Sequence, residues 1–232
     1  MELRRGERLT DRTIERRRAG DHAGEWAVLA FVLLAAGSAG CCACPIIDNV
    51  VDTGELSMAK EYPDAVTMKG DSLTLLAGEK QPQVGSVAPD FHVVDGDFNR
   101  VTLADFEDQV LLISAVPSLD TGVCATQTKR FNEEAATLPD DVAVLTVSMD
   151  LPFAQKRFCE AEKVDRVRVL SDHVWHSFGL SYGVLVKDMG LLARSIWVID
   201  RDGKIVYKEV VSELTHYPNY DAALDAVRAA AD

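Results

Sequence analysis

The stretch Val110-Leu111-Leu112-Ile113-Ser114-Ala115-Val116, followed by Pro117-Ser118-Leu119-Asp120-Thr121-Gly122-Val123-Cys124, decides the fold. Its first seven residues are an unbroken apolar and small run, the pattern of a strand buried on both faces beneath helices. Pro117 cannot donate to a sheet ladder and ends the strand. From Thr121 to Leu138, Val123, Phe131, Ala135 and Leu138 recur at helical spacing against Lys129, Arg130, Glu133 and Glu134. Cys124 therefore falls in the first turn of a helix that leaves a buried strand.

Working outward, Val142–Met149 reads as a second buried strand. Pro152–Glu162 reads as a short helix opened by Asp150 as its cap. Val167–Leu170 is a short strand and Val174–Tyr182 a helix. Ser195–Asp200 and Ile205–Val211 flank the turn Arg201-Asp202-Gly203, and Tyr220–Ala231 is a terminal helix. Upstream, Val66–Leu75 has β-formers on both sides of Lys-Gly-Asp-Ser, a hairpin signal, and Val84–Phe91 is a turn leading into His92-Val93-Val94. This order predicts an α/β fold: a central mixed sheet flanked by helices, with an amino-terminal β-hairpin, of the thioredoxin-like kind.

The chain has 232 residues, 47 % hydrophobic and 26 % charged, with a formal charge of −13. That composition fits one globular domain with an appendage. Phosphate backbones repel such an acidic chain, which speaks against nucleic acid as a partner. Residues 66–232 carry the globular pattern and residues 46–65 read as a tether. Residues 1–45 combine a charged leader with the apolar run Trp26–Ala36, too short for a spanning helix but suited to a signal peptide. Gly37-Ser38-Ala39-Gly40 before Cys41 resembles a lipoprotein cleavage site, which would lipidate Cys41, give membrane contact and place the protein in the cell envelope. The other reading starts translation at Met58 or Met68 and leaves the protein cytoplasmic.

The five cysteines, Cys41, Cys42, Cys44, Cys124 and Cys159, fall into a tight group of three and two isolated residues, so a dense disulfide scaffold is excluded. Cys41, Cys42 and Cys44 could hold a soft metal, but a closed site wants a fourth ligand. The alternative function is accordingly a membrane-tethered, thioredoxin-like metal-binding or delivery protein. A non-catalytic interaction domain is a further alternative. His173 and His176 stand three apart without other ligands, so no resident metal is expected, and no cofactor motif occurs.

At Cys124 the helix start offers unpaired N–H groups and the positive end of the dipole, which favour an anion; the thiolate is the reactive form of cysteine. Thr121 lies three residues before it, so its hydroxyl can face the sulfur, and Pro117 would shield the sulfur from water. A disulfide oxidoreductase would need a second cysteine at Gln127, which the chain lacks.

The motif Pro117-x-x-x-Thr121-x-x-Cys124 resembles that of the peroxiredoxins, more closely the bacterial thiol peroxidases with two cysteines. Ser148–Cys159, Leu191–Asp200 and the hairpin Val66–Leu75 extend the resemblance over about residues 66–231. The resemblance implies that Cys124 is the peroxidatic cysteine, attacking a hydroperoxide to give a sulfenic acid. It implies that Cys159 is the resolving cysteine, closing an intramolecular Cys124–Cys159 disulfide. Thr121 would bond thiolate and peroxide, and Arg194 would stabilise the thiolate and the charge on the breaking O–O bond. It further implies hydrogen peroxide and alkyl or lipid hydroperoxides as substrates, thioredoxin or another dithiol as reductant, and a homodimer. The two cysteines lie on separate helices, so the reduced form should hold the sulfurs apart until the Cys124 turn and the 150–160 helix unwind locally. Phe153, Leu191 and Leu192 would give an apolar approach surface.

Overall fold

In the computed structural model the chain divides into two units, Met1–Ile46 and Ile47–Asp232, and the described residues, 58–232, lie in the second. Ser148 and Asp150, at the end of one buried strand, and Val116 to Leu119, at the end of its neighbour, form the corner on which the site is built. The neighbours are β5 (Val110–Ala115) and β6 (Val142–Ser148), paired in parallel from Val110↔Val142 to Ala115↔Val147. β7 (Arg168–Ser171) extends this parallel core beside β6. β10 (Ser195–Ile199) runs antiparallel on the other side of β5, followed by β11 (Ile205–Val210). β3 (His92–Val94) and β4 (Arg100–Thr102) close the far edge. The seven-stranded order is β11-β10-β5-β6-β7-β3-β4, the mixed sheet expected from the sequence.

Strand alternation divides the core in two. Leu111 and Ile113 join Phe91, Phe178, Tyr182 and Trp197 on one face. Val110 and Leu112 join Phe131, Leu224 and Val227 on the other. The second face is covered by helix α1 (Gly122–Ala135) and the terminal helix, α4 (Tyr220–Ala231). Helix α2 (Pro152–Glu162) connects β6 to β7, and the short helix α3 (Ser177–Ser181) packs against the first face. The sequence suggested Val174–Tyr182 for α3. His176 instead takes a left-handed backbone, φ 55°, and the helix begins only after it.

The amino-terminal hairpin is longer than expected. β1 (Lys60–Met68) reaches back into the presumed tether and pairs with β2 (Asp71–Ala77) through the turn Lys69-Gly70. Both turn residues have positive φ, 55° and 89°, the hairpin geometry that makes glycine useful here. Pro63 is tolerated because β1 is an edge strand, and the register shifts between Tyr62 and Val66. The hairpin grows into a four-stranded sheet, β1-β2-β8-β9, with β8 (Leu185–Val186) and β9 (Leu191–Leu192). Two-residue strands carry no readable period, so the sequence did not reveal them.

A carboxylate fastens this hairpin to the far end of the chain. Glu213 accepts hydrogen bonds from Lys69 N (3.0 Å), Gly70 N (3.2 Å) and Thr67 Oγ1 (2.9 Å). The hydroxyl and N–H of Thr215, with the Lys69 N–H and the Thr67 hydroxyl, hold its carboxyl well below the usual carboxylate range. Leu214 N also donates to Thr67 O at 2.8 Å. No helix among the described residues is long and apolar enough to cross a membrane.

Candidate active site

Cys124 is the third residue of α1, where helix N–H groups have no intrahelical acceptor. Its side chain is fully buried with Val116 and Leu119, and Phe158 of α2 and Val169 of β7 pack against this group. Arg194 lies where the chain passes from β9 in the small sheet to β10 in the large one, and is 1 % exposed. Its Nη2 donates to Cys124 Sγ at 3.3 Å and to Leu214 O at 2.9 Å. Nε also donates to Leu214 O, at 3.0 Å, and Nη1 donates to Gln127 Oε1 at 2.6 Å. Gln127 in turn donates to Ser114 Oγ on β5 at 2.7 Å. No carboxylate forms an ion pair with Arg194 among the described residues. A buried guanidinium without a compensating charge is costly, and Cys124 is the ionisable side chain that its hydrogen bonds reach.

Residues 83–224 match the Redoxin family model, more than half of the chain. The chain belongs to the redoxin family. A thiol peroxidase of Listeria innocua is 52 % identical over 165 residues, covering 71 % of this redoxin and 98 % of the Listeria protein. A thiol peroxidase of Bacillus subtilis is 51 % identical over 164 residues, covering 71 % and 96 %. Among solved structures, a peroxiredoxin-like protein of Aquifex aeolicus aligns with a TM-score of 0.67 at 43 % identity, covering 72 % of this redoxin and 96 % of that chain. A thiol peroxidase of Chromobacterium violaceum shares the fold, with a TM-score of 0.63 at 19 % identity. This redoxin groups with the thiol peroxidases, and the comparisons give no support to the metal-delivery alternative.

The other expected site residues of this redoxin are differently arranged. Pro117 is buried just beyond β5. Thr121 is exposed, and its hydroxyl donates to Ser118 O at 3.1 Å rather than to the sulfur. Cys159 on α2 is half-buried, and both it and Cys124 are free thiols. Burial pushes the Cys159 thiol up, which withholds its thiolate while α2 is folded. Phe158 and Val169 pack against both the Cys124 group and the cluster that Cys159 joins. Leu192 is fully buried and cannot line an approach surface, whereas Phe153 is 62 % exposed. Cys41, Cys42 and Cys44 lie outside the described residues. No group of metal-ligating side chains occurs among the described residues.

Asp150 does not cap α2, whose first turn follows Leu151 without a side-chain cap. Its carboxylate turns to the Cys124 loop instead, accepting from Ser118 Oγ (2.7 Å), Leu119 N (2.8 Å) and Ser148 Oγ (2.8 Å). Gln127 was missed as well, although it stands one helical turn after Cys124, a spacing that puts both on one face.

Proposed function

We propose that the chain is a thiol peroxidase reducing hydrogen peroxide and organic hydroperoxides through Cys124. The observation that carries this reading is the buried Arg194 guanidinium, which donates to the buried Cys124 sulfur and has no carboxylate partner among the described residues. The Cys124 thiolate attacks the terminal peroxide oxygen. The O–O bond breaks, the departing oxygen takes a proton and leaves as water or an alcohol, and Cys124 becomes a sulfenic acid. Arg194 stabilises charge at the sulfur and on the breaking bond. Thr121 orients the peroxide once its hydroxyl turns from the Ser118 carbonyl. A cavity of about 380 Å³, lined by Leu119, Thr121, Gly122, Ala154 and Phe158 among others, lies between the Cys124 turn and α2.

Cys159 then attacks the sulfenic sulfur, water leaves, and a Cys124–Cys159 disulfide forms. The two cysteines are not bonded to each other and stand on separate helices, so the Cys124 turn and the helix that carries Cys159 unwind locally for this step. A dithiol of thioredoxin type returns the disulfide to two thiols, and the protein acts as a homodimer, in keeping with the family. An exported, lipid-bearing form would need a dithiol donor outside the cytoplasm. An intact-mass measurement of the native amino terminus and Cys41 decides between the two localisations.

Intact-mass analysis after one equivalent of hydroperoxide tests the chemistry. Wild type should yield the Cys124–Cys159 disulfide, and Cys124→Ser should consume no peroxide. Cys159→Ser should keep its first turnover, stop at the sulfenic acid and lose sustained turnover with thioredoxin. Peroxide consumption by Cys124→Ser at the wild-type rate would sink the reading.

A further inference from the structure

Two segments have to separate for the disulfide step: the loop leading from β5 to Cys124, and the turn leading from β6 into the helix that carries Cys159. One carboxylate holds both. Asp150 follows β6 and precedes α2, and its oxygens accept from the Ser118 hydroxyl (2.7 Å) and the Leu119 N–H (2.8 Å) of the Cys124 loop. Its own turn is held by Ser148 Oγ, which donates to Asp150 Oδ2 at 2.8 Å, and by Ser171 Oγ, which donates to the Asp150 carbonyl. Gln155 Nε2, on the first turns of α2, donates to the same Ser148 Oγ at 3.0 Å and to Leu170 O at 2.8 Å. A half-buried chain of hydrogen bonds thus runs from the Cys124 loop through Asp150 and Ser148 to the resolving helix. Hydrogen bonds to an ionised acceptor are the strong members of such a network.

We propose that Asp150 is a positioning residue that sets the balance between the arrangement that meets peroxide and the one that closes the disulfide. The proposal rests on the functional reading above. While the latch is closed, the Cys124 loop stays against β6 and the sulfur stays beside Arg194. Opening it releases the Cys124 loop from the turn that leads into α2, because the carboxylate is the side-chain link between them. The latch therefore also sets a competition at the sulfenic acid. In one branch Cys124–SOH reacts with the Cys159 thiol to give the disulfide and water. In the other a second hydroperoxide oxidises Cys124–SOH to the sulfinic acid and is itself reduced to an alcohol or water. A tight latch prolongs exposure to the second branch.

Asp150→Asn keeps the shape but sets an amide NH₂ where donors converge. The amide oxygen can still accept from the Leu119 N–H while the NH₂ faces the Ser118 hydroxyl, which can turn to accept, so the variant loses the charge on the acceptor. Rapid-mixing kinetics with intact-mass readout should show disulfide formation about tenfold faster in this variant, the change for loss of one charge-assisted hydrogen bond. The fraction of Cys124 reaching the sulfinic acid at high peroxide should fall together with it. The first step, measured in a Cys159→Ser background, should slow or stay unchanged. Ser118→Ala removes one donor while leaving the carboxylate, and should shift both readouts the same way by less. A residue of purely structural importance would slow both steps and leave the branching ratio alone. Unchanged or slower disulfide formation in both variants overturns the proposal, provided that wild type forms the bridge. Failure of wild type to form it overturns the functional reading and the latch with it.

Discussion

Arg194 is almost wholly buried, and its four hydrogen bonds converge on three acceptors: the Leu214 carbonyl, the Gln127 amide oxygen and the Cys124 sulfur. Only a planar fork of donors satisfies all three at once, and a lysine ammonium is a compact point charge without that fork. Arg194→Lys should therefore slow the peroxide step by roughly 10²–10³-fold, the usual effect of removing a preorganised donor. Single-turnover kinetics measure this directly, and a change below about threefold would contradict the role. Gln127→Leu leaves one guanidinium N–H unmatched and should lower unfolding stability by about 1–3 kcal/mol in chemical denaturation. Cys124 was legible in the sequence because its signal is local, a helix start after a strand, whereas Arg194 was reached through the family resemblance that Leu191–Asp200 carries. Asp150 was legible only as a helix cap. Its turn toward Leu119 follows from parallel pairing of β5 and β6, which lays Val116 against Val147, 31 residues away. No local pattern records that pairing. The Thr121 hydroxyl was misplaced for a related reason, since spacing cannot rank a sulfur against a carbonyl in the same turn.

Among the elements, α3 begins on a buried carboxylate. Asp172 accepts from Phe178 N (3.0 Å) and Gly179 N (2.8 Å), and burial pushes its carboxyl up to about 7. In the unfolded chain it titrates near 3.8. Between those values the folded state holds a proton that the unfolded state lacks. Stability therefore falls as pH rises from about 4 to about 7, by at most about 1.4 kcal/mol per pH unit. His173 and His176, pushed down by burial, act in the opposite sense: their contribution is lost as pH falls below the ordinary histidine value of 6.5. Comparing wild type with Asp172→Asn by denaturation at pH 5, 6 and 7 separates the two. The stability difference should change with pH across that range, and a constant difference would exclude titration of Asp172. The large elements, β5, β6, α1 and α4, were legible from period and length. Of the short ones, β7 was read one residue early as Val167–Leu170, whereas the two-residue β8 and β9 were not read, since β8 joins them to β2, far away in sequence.

For the molecule as a whole, both faces of the core, the large sheet and every expected site residue except Cys41 lie within residues 58–232. A chain truncated to those residues should unfold in one cooperative transition and reduce peroxide at the rate of the full chain. Separate transitions, or loss of activity, would show that the preceding residues contribute to the fold. The order of strands and helices was legible, whereas the second sheet was not, since it is assembled from a hairpin and two strands more than a hundred residues downstream. That assembly has a consequence for synthesis. Glu213 and Leu214 tie the Thr67–Gly70 turn to the carbonyl that holds Arg194, across about 145 positions of chain. Chains emerge amino terminus first, and contacts of such separation form late. On the ribosome the Thr67–Gly70 turn must therefore wait for the last twenty or so residues, and a nascent chain cut short before Glu213 would lack the Leu214 carbonyl that takes two of the four hydrogen bonds of Arg194.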